Sequence, residues 1–204
     1  PQFCWQTSIH RLVNMKIGLF FGSFNPIHHG HLIIASYLAY ETDLDKVWLV
    51  VSPQNPFKPA GSLLNEYQRL HLAQLAVEGD PRLEASAVEF SLPKPSYTAD
   101  TLAYLFEKYP HHQFALIMGS DSLQNFPRWK NAGWIQAHVG FYIYPRAGFP
   151  VKPDDLPPQG QIVQAPLLDI SASLIRRRIR EGKPIRYLVP DSVAREIENS
   201  HYYR

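Results

Sequence analysis

Three histidines within four residues, His28, His29 and His31 around Gly30, follow directly on the apolar run Lys16-Ile-Gly-Leu-Phe-Phe21 and the turn Gly22-Ser-Phe-Asn-Pro26. Residues three apart share one face of a helix, so His28 and His31 point together while His29 turns away. A helix start adds free amide hydrogens and the positive end of its dipole, both favourable to an anion. The chemistry open to such a stretch is to hold phosphate oxygens with paired donors. A zinc pair is the competing reading, yet no third ligand stands at credible spacing, and one cysteine, Cys4, cannot make a cysteine-based site. The lysine-bearing phosphate loop G-x-x-x-x-G-K-[ST] and the fingerprint G-x-G-x-x-G are both absent, so the histidines must supply what those motifs supply elsewhere. His71, His111, His112 and His138 are scattered and read as surface or cap residues.

A second constellation runs from Asp169 to Arg180, "DISASLIRRRIR", with hydroxyls at a helix start and a basic run one turn later. Ser171 and Ser173 can cap that helix or donate to a phosphate, and Arg176 is close enough to Ser173 to meet the same group. Arg176 and Arg180 share a face, whereas Arg177 and Arg178 turn outward into solvent. Lys58, in the proline-stiffened loop Ser52-Pro-Gln-Asn-Pro-Phe-Lys-Pro59, either reaches a phosphate or lies in solvent, and Arg69 on the next helix is a weaker candidate for the same role. In Pro95-Ser-Tyr-Thr-Ala-Asp-Thr101 the helix amides and the Thr98 hydroxyl could receive a carboxylate. Trp129, between Arg128 and Lys130, offers a flat face to a ring, while Trp134 is expected in the core. Gly119, Ser120 and Asp121 follow a strand end, where Asp121 could accept from ribose hydroxyls.

The elements that must position these residues alternate. Strands are predicted over Lys16–Phe21, Lys46–Ser52, Gln113–Met118, Val139–Tyr144 and Gln161–Gln164, with a weaker one around Arg82–Val88. Helices are predicted over His29–Glu41, Leu64–Glu78, Tyr97–Tyr109, Ser171–Glu181 and Asp191–Asn199, the last started by Pro190-Asp191 as a cap. This pattern predicts an α/β, Rossmann-like, doubly wound and mostly parallel sheet with helices on both faces. The proline-rich stretch Ala147 to Pro158 reads as an insertion within one domain.

The chain has 204 residues, 45% hydrophobic, with 20 basic against 18 acidic side chains. That near-balance argues against a nucleic-acid partner. The single cysteine fits a reducing compartment, and no apolar stretch approaches the ~20 residues of a membrane span, so a cytoplasmic enzyme without a membrane partner is expected. Met15 looks like a natural initiator: residues 1–14 are expected to be a non-native or poorly structured extension, with one domain over 15–204.

The segment His28-His29-Gly30-His31, preceded by Gly22-Ser-Phe-Asn-Pro-Ile-His28, resembles the HxGH motif of a nucleotidyltransferase superfamily. With "PSYTADTL", "GSDSLQNFPRW" and "ISASLIR" in order, the chain is similar to bacterial nicotinate-nucleotide adenylyltransferases over nearly everything beyond residue 14. One departure is Asn25, where aspartate is common in that family. The resemblance implies transfer of AMP from ATP to nicotinate mononucleotide, with Mg²⁺ held mainly through the ATP phosphates. It implies catalytic roles for His28, His31 and Arg176, and ATP or phosphate contacts for Gly22, Ser23, Phe24, Lys58, Arg146, Ile170, Ser171 and Ser173. It assigns Asn25, Thr98, Gly119, Ser120, Asp121 and Trp129 to the mononucleotide. Phosphopantetheine adenylylation is a sister activity that the Thr98 and Trp129 blocks and the length argue against. A non-catalytic nucleotide sensor or nucleic-acid module is opposed by the charge balance, and a dehydrogenase by the missing glycine fingerprint. Self-association into a homo-oligomer stays open.

Overall fold

The computed structural model describes residues 14–54 and 63–204. Six strands, β1 (Lys16–Gly22), β2 (Lys46–Val51), β3 (Leu83–Ser86), β4 (Gln113–Gly119), β5 (Gly140–Tyr144) and β6 (Gly160–Ile162), form one sheet in the order β3-β2-β1-β4-β5-β6. Every neighbouring pair is parallel, with no antiparallel edge among these strands. This is the doubly wound order in which the winding reverses between β1 and β4, opening a crevice beyond their carboxyl ends.

Among the described residues seven α-helices cover the sheet: α1 (His29–Glu41), α2 (Glu66–Val77), α3 (Thr98–Lys108), α4 (Ser120–Asn125), α5 (Ala132–His138), α6 (Ala172–Arg180) and α7 (Asp191–Asn199). The strands are apolar at nearly every position because both faces are buried. On β2, Val47, Leu49 and Val51 face the core under α1, α2, α6 and α7, while Trp48 and Val50 face the one under α3, α4 and α5. Among the described residues no helix is long and apolar enough to cross a membrane.

Strand and helix positions agree with the periodicity to within about two residues, α1 and α7 at both ends. Two helices were not anticipated. α4 and α5 are only 6 and 7 residues long, too short to show a 3.6-residue period. The start of α7 also differs: Pro190 occupies the cap position without a side-chain bond, and the Asp191 carboxylate lies 3.5 Å from Arg186 instead. The stretch after β5 is more than a connector, since Arg146 and Phe149 form an antiparallel bridge and a 3₁₀ turn spans Pro153–Asp155.

Candidate active site

The turn after β1 carries the histidines to the crevice. His28 is the N-cap of α1, only 5% exposed, and its carbonyl accepts from the His31 and Leu32 amides at 2.9 and 3.2 Å. The imidazoles of His28 and His31 stack with centroids 3.6 Å apart and 21° between planes, as their spacing predicts. Phe24 wedges His31 edge-on at 5.0 Å, and this ring explains Gly22: a Cβ there would sit 2.7 Å from it. Gly30 is tight as well, since a Cβ there would meet His28 Nδ1 at 3.0 Å and push on that imidazole. His28 Nδ1 has no hydrogen-bond partner among the described residues. Burial, reinforced by the charges of Arg146 and then His29, pushes the His28 imidazole down to about 4, so it is neutral at neutral pH.

α6 brings the second constellation to the same loop. Arg176 donates to the Asn25 carbonyl at 2.6 Å and to Ser173 Oγ at 3.2 Å. The Ile170 carbonyl lies 3.7 Å from where a Gly30 Cβ would be, so the segment before α6 abuts the histidine turn. Ser171 spends its oxygen on capping, accepting from the Leu174 amide at 3.2 Å. Arg180 and Arg177 are exposed, but Arg178 is not simply solvated: its Nε donates to the Pro184 carbonyl at 3.0 Å.

Arg69 overturns its sequence reading as a phosphate candidate. It is 1% exposed and donates to four carbonyls, of Leu64 (2.8 Å), Ser23 (2.6 Å), Ser52 (2.9 Å) and Pro53 (3.1 Å). Its guanidinium is a buried clamp joining the loops after β1 and β2. Asn25 is buried nearby, with Oδ1 accepting from the Leu64 amide at 3.1 Å. Lys58 lies outside the described residues.

The other half of the crevice is a cavity of about 760 Å³ between the carboxyl ends of β1, β2 and β4 and the start of α3. Thr98, Gly119 and Trp129 line it, as does Gly22, expected on the ATP side, together with Phe21, Ser52, Glu89, Ser96, Arg128 and Tyr144. Next to it, Ser120 Oγ accepts from the Arg146 amide at 2.8 Å, and the Asp121 carboxylate lies 3.8 Å from Arg146 Nε. Trp129 leans on Phe126 with centroids 5.5 Å apart. Trp134 is not in the core: it is 36% exposed and stacks on His138 at 4.5 Å. His71, His111 and His138 are exposed, and His112 stacks on Tyr109 at 5.6 Å. Sequence reasoning passed over Glu89, whose signal is an acid set between Val88 and Phe90 shortly before Pro95-Ser96.

No group of three or more His, Cys, Asp or Glu side chains that could hold a metal ion occurs among the described residues. Residues 19–178 match the cytidylyltransferase-like family. A Cytophaga hutchinsonii protein named probable nicotinate-nucleotide adenylyltransferase is 52% identical, over 93% of this chain and 98% of that one. A Flavobacterium psychrophilum protein of the same name is 46% identical, over 93% and 100%. Among solved structures, a Plasmodium falciparum nicotinic acid mononucleotide adenylyltransferase complexed with NaAD has the same fold, with a TM-score of 0.80, 20% identity and coverage of 93% and 98%.

Proposed function

The chain belongs to the cytidylyltransferase-like family and, within it, to the nicotinate-nucleotide adenylyltransferases, and from that membership we infer its reaction. It is a nucleotidyltransferase that moves AMP from ATP to nicotinate mononucleotide, giving nicotinate adenine dinucleotide and pyrophosphate in NAD biosynthesis. The observation that carries this reading at the level of residues is the stacked His28–His31 pair beyond β1, beside a loop that Arg176 also holds.

A phosphate oxygen of the mononucleotide attacks the α-phosphorus of ATP. The new P–O bond forms as the bond to the bridging oxygen of the β-phosphate breaks, and pyrophosphate leaves with the electron pair. The protein's task is to align two polyanions and stabilise the charge of the transferring group. His28 and His31 are the groups assigned to the phosphate oxygens. An adjacent polyphosphate raises the lowered His28 pKa and so shifts this imidazole towards imidazolium as nucleotide enters. Ser173 and Arg176 approach from α6, and the two bonds Arg176 makes leave the rest of a guanidinium's five N–H groups for phosphate. Gly22, Ser23, Phe24, Lys58, Arg146, Ile170 and Ser171 complete the proposed ATP side. Asn25, Thr98, Gly119, Ser120, Asp121 and Trp129 form the proposed mononucleotide side, with Trp129 against the pyridine ring. The divalent ion, Mg²⁺, is proposed to arrive on the ATP phosphates as part of the substrate and to be held mainly through them. We place the whole activity in one domain over residues 15–204, in the cytoplasm, with no nucleic-acid or membrane partner.

Purified protein with ATP and Mg²⁺ should release pyrophosphate when given nicotinate mononucleotide, and faster than with nicotinamide mononucleotide. Release with neither acceptor would refute the assignment.

A further inference from the structure

The floor of the 760 Å³ cavity holds a carboxyl group that the reaction above does not use. Glu89 sits on a 3₁₀ turn, Val88–Ser91, and is 1% exposed. Its Oε1 lies 2.9 Å from the Thr101 hydroxyl, in the first turn of α3, and that hydroxyl is also 3.3 Å from the Tyr97 carbonyl. Glu89 Oε2 and Ser96 Oγ, both buried at the cavity, have no hydrogen-bond partner among the described residues. Nor does any Lys, Arg or His among them pair with Glu89.

These facts favour one protonation state. An ionised carboxylate stripped of water, with neighbouring hydroxyls but no cation paired to it among the described residues, is costly to bury. Thr101 has one hydroxyl proton for two acceptors, so with Glu89 ionised only one of the two bonds forms. With Glu89 protonated, its own O–H donates to Thr101 Oγ1, and the Thr101 proton goes to Tyr97. Burial accordingly raises the Glu89 carboxyl above the usual range, and the hydroxyls of Thr101, Ser52 and Ser96 beside it oppose that shift without reversing it. Other charged or titratable groups facing this volume are Arg128, Lys130, Tyr97 and Tyr144, with Arg69 beneath Ser52. Lys130 is occupied by Asp100 at 2.8 Å, and Arg69 by carbonyls.

We propose that Glu89 lies in the acceptor cavity as an uncharged carboxylic acid and sets its preference for a ring bearing a carboxylate over one bearing a carboxamide. This rests on the assignment of nicotinate mononucleotide as acceptor, with its ring carboxylate at the start of α3. A neutral Glu89 leaves the positive end of α3 to the incoming anion. An ionised Glu89 in the same cavity repels that anion, but not an uncharged amide.

The test compares kcat/KM for the two mononucleotides across pH 6 to 9 in the wild type and in Glu89→Gln, an isosteric stand-in for the neutral acid. Both acceptors carry the same phosphate, so the nicotinate-to-nicotinamide ratio cancels the titration of phosphates and histidines. In the wild type the ratio should fall as Glu89 ionises with rising pH, by at most about tenfold per pH unit, whereas in Glu89→Gln it should stay flat at its low-pH value. Calorimetry in buffers of different ionisation enthalpy gives a second readout on the wild type alone. At alkaline pH, nicotinate mononucleotide should bind with more proton uptake than nicotinamide mononucleotide. Equal proton uptake for the two acceptors, or the same pH slope in both proteins, would overturn the proposal while leaving the reaction assigned. Turnover of neither acceptor would overturn the reaction and this proposal together.

Discussion

Two helix starts open onto one crevice and are built in opposite ways. α1 begins beyond β1 with His28 as its cap, no acidic residue in its first turn, and two stacked imidazoles. α3 begins at Thr98 over the buried Glu89, with Asp100 in its first turn. The first has no anion of its own and is surrounded by donors from α6, so it suits a ligand of several negative charges. The second already holds two carboxyl groups, one paired with Lys130, so it suits at most a weakly charged ligand. What a helix terminus can bind is thus set less by its dipole, which both share, than by the charges the fold has already placed there.

The contrast breaks most visibly in turnover. His28→Ala or His31→Ala should lower kcat by about 10³-fold, because preorganised donors to the transferring group are lost, with the helical circular-dichroism signal retained. Loss of that signal alongside the activity would make the rings packing elements. Arg69→Met should act on the scaffold under the α1 side. Stranding four buried carbonyls should cost about 4 kcal/mol, read from urea unfolding, and a variant as stable as wild type would show that the clamp is dispensable.

The third prediction uses pH. With His28 at about 4 in the folded chain and 6.5 unfolded, the unfolded chain binds the proton first. Stability is therefore full above pH 6.5 and falls as pH drops towards 4, by on the order of 3 kcal/mol. The unfolding midpoint of His28→Gln should lack this part of the acid dependence, and a curve parallel to wild type would remove the basis for a neutral His28. The smallest effect belongs to the α3 side. Trp129→Ala should raise KM for the mononucleotide about tenfold through lost ring contact and leave KM for ATP nearly unchanged. Equal losses for both substrates would mean that the two ends are not separate subsites.

Much of the frame was legible because parallel strands and long helices announce themselves locally. Alternating apolar runs located β1, β2, β4 and β5, and α1 was found from His29 to Glu41. The His28–His31 pairing was legible for the same reason, since three residues on a helix is a local geometry. What could not be read depends on distant partners. Arg69 looked like any loop-side arginine until the carbonyls of Ser23 and Ser52, 46 and 17 residues away, closed around it. Trp129 and Trp134 sit in one polar stretch, and which of them turns inward is decided by the paths of α4 and α5, too short to leave a period. Glu89 carries only a faint local signal, an acid between Val88 and Phe90, because its burial comes from α3, folded over it from the following segment.

The Arg69 clamp also limits how the crevice can breathe. One rigid side chain ties the turn beyond β1 to the turn beyond β2, so those two rims travel as a unit and cannot part to admit a bulky guest. Widening has to come from the opposite bank, where the stretch after β5 is held to α4 by the bond from the Arg146 amide to Ser120 and the looser Arg146–Asp121 pair. Amide exchange in the free chain should therefore be faster around residues 144–150 than at residues 23–28.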